Sequence, residues 1–88
     1  MSKSAFGAGE LETKTKELIA LAIAVAVRCD GCIASHASGA ARAGASKQEA
    51  AEAIGVAIAL SGGPGTVYGP RAYDAFCEHA EGRDKLAE

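Results

Sequence analysis

The sequence has no tryptophan, and only two tyrosines and two phenylalanines in 88 residues. With so few large side chains it cannot fill a thick core. A chain of this length buries only about 60–65% of its unfolded surface. One small domain is the most it can build, and association between copies would bury what a single chain leaves exposed. Clustered positive charge is also missing. Nine Lys and Arg are scattered among eleven Asp and Glu, for a formal net charge of −2. That leaves no basic footprint for nucleic acid and no polybasic patch for a membrane surface.

Long hydrophobic runs are missing too. The longest is LIALAIAVAV, residues 18–27, which as a helix spans about 15 Å, half the core of a bilayer. It does not fit the centre of an export signal. Glu10, Glu12 and Glu17 share the flank with Lys14 and Lys16, and Arg28 stands where cleavage needs a small residue. The cysteines number three, and an odd number argues against a secreted disulfide framework. These absences together point to a cytoplasmic protein.

Alanine is abundant, with 21 positions, which suits helices that approach closely. Residues 1–9, MSKSAFGAG, are small and polar and read as loose. The run IALAIAVAV alternates large and small residues, as a strand does. Its small partner is always Ala, however, a strong helix former and a poor strand former. A helix over 11–28, buried on most sides, is therefore expected. Asp30 is a candidate cap for a second helix, about 31–43, which Gly44 ends as a C′ residue. SKQE, 46–49, has the pattern of a capping box, with Ser46 as N-cap and Glu49 at N3. The third helix, about 47–60, places Ala50, Ile54, Ala57 and Ile58 on one face. SGGPG, 61–65, breaks it. A fourth helix follows over about 65–81, with Pro70 kinking it or marking a later start, and Gly82 precedes a charged tail. The fold class read from this pattern is all-α, about four helices with short connections, so that neighbours run antiparallel.

RCDGCIASHA, residues 28–37, carries the candidate chemistry. Spacings of three and four residues put Cys29, Cys32 and His36 on one face of a helix. Cys32 falls in the first turn, where free N–H groups and the helix dipole favour a thiolate. His36, one turn later, is placed to take or relay a proton. Other readings stay open from the residues alone. A CxxC with a His binds zinc in other settings, and Cys77 and His79 are candidates to complete such a site. Structural zinc sites draw ligand pairs from two elements, though, and these spacings overlap on one. A thioredoxin-like domain needs strands, and no strand-like run follows Cys32. Glu17 is the last charge before the apolar run. On a straight helix it lies about 18 Å from Cys29. In a helical hairpin it faces the middle of the second helix, near His36, where a carboxylate orients an imidazole. Taken alone, the residue physics favours a solvated glutamate.

Glu17, a CxxC twelve residues later (Cys29 and Cys32), and His36 four after the second Cys form a recognisable signature. With the turn ARAGAS and the glycine-rich SGGPG, residues 10–78 resemble the core of the alkylhydroperoxidase D-like proteins of the carboxymuconolactone decarboxylase family. The resemblance implies a helical hairpin core assembled as trimers or hexamers. It also implies a thiol-dependent hydroperoxide or disulfide reductase, an antioxidant activity with no metal or other cofactor. In that reading Cys32 is the peroxidatic thiol, Cys29 the resolving thiol, and His36 and Glu17 the proton relay. The reductant is then a dithiol, for which a lipoyl group on a carrier protein is the family precedent. The alternatives are a decarboxylase-type lyase, which does not need the cysteine pair, and a non-enzymatic oligomer that binds zinc or senses redox state.

Other polar residues have plainer readings. Cys77 is expected to pack as a small apolar residue and His79 to lie on a solvated face beside Glu78 and Glu81. Tyr68 and Tyr73 are expected in packing or interface roles, and Arg42 and Arg71 on the surface.

Overall fold

Five helices follow one another with short connections: α1 (Ser2–Phe6), α2 (Thr13–Ala26), α3 (Asp30–Arg42), α4 (Lys47–Ser61) and α5 (Gly63–Ala87). The computed structural model describes residues 2–87, and no strand occurs among them. α2 packs against α3 on one side and α4 on the other, and α5 closes the bundle against α3 and α4. The expected antiparallel hairpin is α2–α3.

The alanines set the closeness of this packing. Ala24, Ala37, Ala40, Ala41, Ala50, Ala57, Ala72 and Ala80 are buried around Leu21, Val25, Ile33, Ile54 and Phe76. Phe76 is the largest side chain wholly withdrawn from solvent. On α5, Gly65 and Gly69 bring the backbone against α4. A Cβ on Gly65 would lie 2.8 Å from Ile58 Cα, and one on Gly69 2.7 Å from Ile58 Cδ1. Ala50, Ile54 and Ala57 face the core, with Ile58 packed at its edge.

Two successive turns have the same hydrogen-bond pattern. After α3, Ala45 N–H bonds to the Ala40 carbonyl and Gly44 N–H to that of Ala41, both at 3.0 Å. Gly44 takes φ 93°, the left-handed C′ conformation. After α2, Cys29 N–H bonds to the Ala24 carbonyl at 3.0 Å and Arg28 N–H to that of Val25 at 3.2 Å. Here the left-handed residue is Arg28, φ 57°. That conformation costs an L-residue roughly 1–2 kcal/mol. The turn delivers Cys29 to the start of α3.

Several expectations are revised. Residues 2–6, read as loose, form α1; Met1 lies outside the described residues. The apolar run is helical but not buried on most sides. Leu21, Ala24 and Val25 face inward, while Ile19, Ile23 and Val27 are about half exposed, because one chain supplies nothing to cover them. Asp30 does not cap α3; Cys29 does, its Sγ accepting the Cys32 N–H at 3.2 Å. α5 is longer than expected at both ends. Pro70 lies inside it, on the exposed side, so it does not mark a later start, and it gives the helix no N–H at that position. Helix also continues through Gly82 into the charged tail, whose last residue, Glu88, lies outside the described residues. Arg83 anchors this extension by donating from Nη1 to the carbonyls of Ala41 and Ala45, each at 2.8 Å. The Ala41 carbonyl already accepts the Gly44 N–H, so Arg83 is a second donor there and ties the turn after α3 to α5. The capping box is as expected: Glu49 N–H donates to Ser46 Oγ at 3.0 Å, and Ser46 N–H to Glu49 Oε1 at 2.9 Å.

Among the described residues, no helix is long and apolar enough to cross a membrane.

Candidate active site

The hairpin crossing places Glu17, on the second turn of α2, beside His36, on the second turn of α3. His36 Nδ1 and Glu17 Oε1 are 2.7 Å apart. A carboxylate only accepts, so Nδ1–H donates to it and Nε2 is left as the free ring nitrogen. The pair is largely withdrawn from solvent, with 14% of the Glu17 side chain and 25% of the His36 side chain exposed. Screening is therefore weaker than for a surface pair.

One helical turn before His36, Cys29 and Cys32 are joined as a disulfide with a Cα–Cα separation of 5.2 Å. Both are partly exposed. They sit where the first N–H groups of α3 lack helical acceptors, a position that favours sulfur in its anionic form when the bond is opened. Asp30, between the cysteines, points to α5. Arg71 Nη1 donates to its two carboxylate oxygens at 3.1 and 3.0 Å. The same guanidinium lies over the Tyr68 ring, 4.7 Å from its centroid. Arg71 thus ties the CxxC turn to α5 and offsets a negative charge beside the thiols.

Two contributors escaped sequence reasoning. Gly39 is one turn beyond His36, and the Glu17 carboxylate occupies the place its side chain would take. A Cβ there would meet Glu17 Oε2 and Cδ in addition to Oε1 at 2.8 Å. A lone glycine inside a helical pattern is the available signal. Phe6, from α1, stacks on His36 with ring centroids 5.2 Å apart and planes 23° from parallel. No sequence signal singles it out.

The third cysteine is elsewhere. Cys77 is a free, half-buried thiol on α5, six residues beyond Arg71 and so about 9 Å further along the helix. Its thiol, next to the Tyr73 hydroxyl, raises that phenol above its ordinary range. His79 is exposed, in a groove with Arg42 and Glu78. Cys77 and His79 do not join Cys29 and Cys32. Among the described residues, no three or more His, Cys, Asp and Glu side chains are grouped to hold a metal ion. A groove of about 350 Å³ between α4 and α5, lined by Ile54, Ile58, Gly69, Tyr73 and Asp74, includes neither Cys29 nor Cys32, and Asp74 is the one such side chain in its lining.

The model of the carboxymuconolactone decarboxylase family matches residues 1–76. The chain belongs to the carboxymuconolactone decarboxylase family. An uncharacterized protein of Cupriavidus necator is 40% identical over 74 residues, 84% of this chain and 66% of that protein. Uncharacterized protein 4 in the cox locus of Paracoccus denitrificans is 43% identical over 63 residues, 72% of this chain and 57% of that one. The chain thus spans about 57–66% of the length of these curated relatives. Among solved structures, apo-lpg0406, a carboxymuconolactone decarboxylase family protein of Legionella pneumophila, superposes with a TM-score of 0.86 at 40% identity. That match covers 90% of this chain and 70% of that one. TM1620 of Thermotoga maritima gives 0.85 at 31% identity, covering 99% and 78%. The five-helix arrangement is therefore a carboxymuconolactone decarboxylase family fold, and the cysteine pair with its Glu–His partner is set within it.

Proposed function

We propose that this family member is a thiol-dependent hydroperoxide reductase of the alkylhydroperoxidase D-like type, acting in the cytoplasm. The observation that carries the reading is the Glu17–His36 hydrogen bond one turn from a dithiol able to close. An inert cysteine pair has no need of a largely buried carboxylate that fixes the neighbouring imidazole.

In the reduced protein Cys32 gives its proton to His36 Nε2, while Glu17 holds Nδ1–H and stabilises the imidazolium. The Cys32 sulfur attacks one peroxide oxygen. An S–O bond forms and the O–O bond breaks. The departing alkoxide takes the imidazolium proton and leaves as the alcohol, with Cys32 as sulfenic acid. Cys29 sulfur then displaces the hydroxyl from Cys32, which leaves as water with the Cys29 proton. The disulfide results. An external dithiol, with a lipoyl group on a carrier protein as the proposed form, reopens it in two exchange steps. The balance is one hydroperoxide and one dithiol consumed, with alcohol, water and the donor's disulfide formed.

Other copies of the chain are the proposed partners, in a trimer or hexamer. The support is a continuous apolar face in which Ile19, Ile23 and Ala26 of α2 meet Val56 and Leu60 of α4, with no polar group in the groove between them. Ile23, Val56 and Leu60 are 56–85% exposed, a patch that a soluble single chain rarely shows to water.

Peroxide consumption with excess dihydrolipoamide tests the function. Cys32→Ser should abolish turnover, and Cys29→Ser should complete one turnover and stall at the sulfenic acid. Full turnover by Cys32→Ser would overturn the reading. A lyase that keeps the cysteines incidentally would survive alkylation of both; the proposed reductase would not.

A further inference from the structure

We propose that Phe6 is a positioning residue for His36, holding the imidazole plane so that Nδ1–H stays on Glu17 and Nε2 faces the CxxC turn. Its kinetic consequence rests on the reductase reading above.

The rotation of a histidine ring about its last side-chain bond is broad and weakly restrained. One hydrogen bond, at Nδ1, fixes a point but not a plane. The Phe6 ring supplies the missing restraint, stacked 5.2 Å from the His36 centroid. α1 does not hold Phe6 there unaided, since five residues are too few for a stable isolated helix. α2 holds it. Thr13 Oγ1 donates to the Phe6 carbonyl and Lys16 Nζ to the Gly7 carbonyl, each at 2.7 Å. Lys16 precedes Glu17 directly, and Thr13 is one turn earlier. The helix that presents the carboxylate therefore also fixes the aromatic ring, so both restraints on His36 share one frame. Phe6 acts through His36, and its removal should be felt only while His36 is present.

The test pairs Phe6→Ala with Phe6→Tyr, Thr13→Val and His36→Ala in the reduced full chain. Single-turnover oxidation of Cys32 is followed with hydrogen peroxide and with cumene hydroperoxide. Phe6→Ala should slow both by about three- to tenfold. Phe6→Tyr should restore the rate, and Thr13→Val should slow it in the same direction. In the His36→Ala background, Phe6→Ala should have no further effect. Nitrogen-15 spectra of the imidazole give a readout independent of activity. The wild type should show His36 as one tautomer, protonated at Nδ1, and Phe6→Ala should mix the tautomers. A wild-type rate and spectrum in Phe6→Ala would overturn the proposal. So would an equal loss in the His36→Ala background, which would mark a general packing role. A wild type inert to peroxide would sink the reductase reading instead, and the imidazole spectrum would then decide the positioning claim by itself.

Discussion

Gly39 and Glu17 compete for one place: the carboxylate of residue 17 fills the volume that any side chain at position 39 would need. α2 and α3 can bring Glu17 to His36 only because α3 has no Cβ one turn further on. Gly39→Ala should therefore expel the carboxylate and break the 2.7 Å hydrogen bond to His36. Alanine favours helix over glycine by about 1 kcal/mol, so helicity should survive. Oxidation of Cys32 should slow by about tenfold or more, as it should in Glu17→Gln, and the double variant should be no slower than either. Stopped-flow oxidation with circular dichroism on the same samples checks this. A wild-type rate in Gly39→Ala would remove Glu17 from the relay.

Arg28 stands in a left-handed conformation that Gly44 fills at the equivalent turn. Arg28→Gly should relieve backbone strain, less the entropy glycine loses on folding. The net gain should be about 0.5–1 kcal/mol, a rise of a few degrees in melting temperature. Thermal unfolding at matched protein concentration measures it. No gain, or a loss, would mean that the Arg28 side chain stabilises the turn by more than its backbone costs.

Glu49 links two elements. Its carboxylate accepts the Ser46 N–H and pairs with Lys14 of α2 at 3.0 Å. The Ser46 hydrogen bond and then Lys14 hold its pKa below the ordinary glutamate value. A carboxyl group lowered on folding stabilises the fold above its unfolded pKa, about 4.3, and loses that contribution as pH falls through the folded value. The gap in melting temperature between wild type and Glu49→Ala should be constant at neutral pH and should shrink on acidification below about pH 4. The uncharged cap geometry alone would give a gap that does not change with pH.

The apolar face of α2 and α4 makes assembly testable by mass. Ile23→Lys and Leu60→Lys, at residues 56% and 85% exposed in one chain, should leave the helical spectrum intact. Each should shift the light-scattering mass toward the single chain, because each puts a charge where an interface would have to bury it. A wild type that is already a single chain would contradict the proposed assembly.

The parts of the molecule legible in the sequence were those written locally. Ser46 and Glu49 announce a cap by their spacing, Gly44 announces a left-handed turn by its identity, and Cys32 and His36 share a face of α3 because helical geometry requires it, with Cys29 at its N-cap. Glu17 was legible only conditionally, since its role depends on the chain folding back after Arg28. What stayed hidden depends on surfaces meeting across the fold. Gly39 is an unremarked small residue until Glu17 arrives over it. Phe6 lies in five residues too short to show a period. Arg28 gives no turn signal because it is not glycine. Arg83 ties the turn after α3 to α5 from some 40 residues away. The half-exposed Ile19, Ile23 and Val27 depart from a helix buried on most sides because an apolar sequence does not say whose surface covers it.

The most direct measurement is a single-turnover oxidation of the reduced, metal-stripped protein with one equivalent of an organic hydroperoxide. It is quenched at intervals by alkylation and mapped by mass. Rapid linkage of Cys29 to Cys32 is expected, with Cys77 still alkylated and one equivalent of alcohol released. Slow oxidation spread over all three cysteines would contradict it, because the dithiol would then gain nothing from His36 and Glu17.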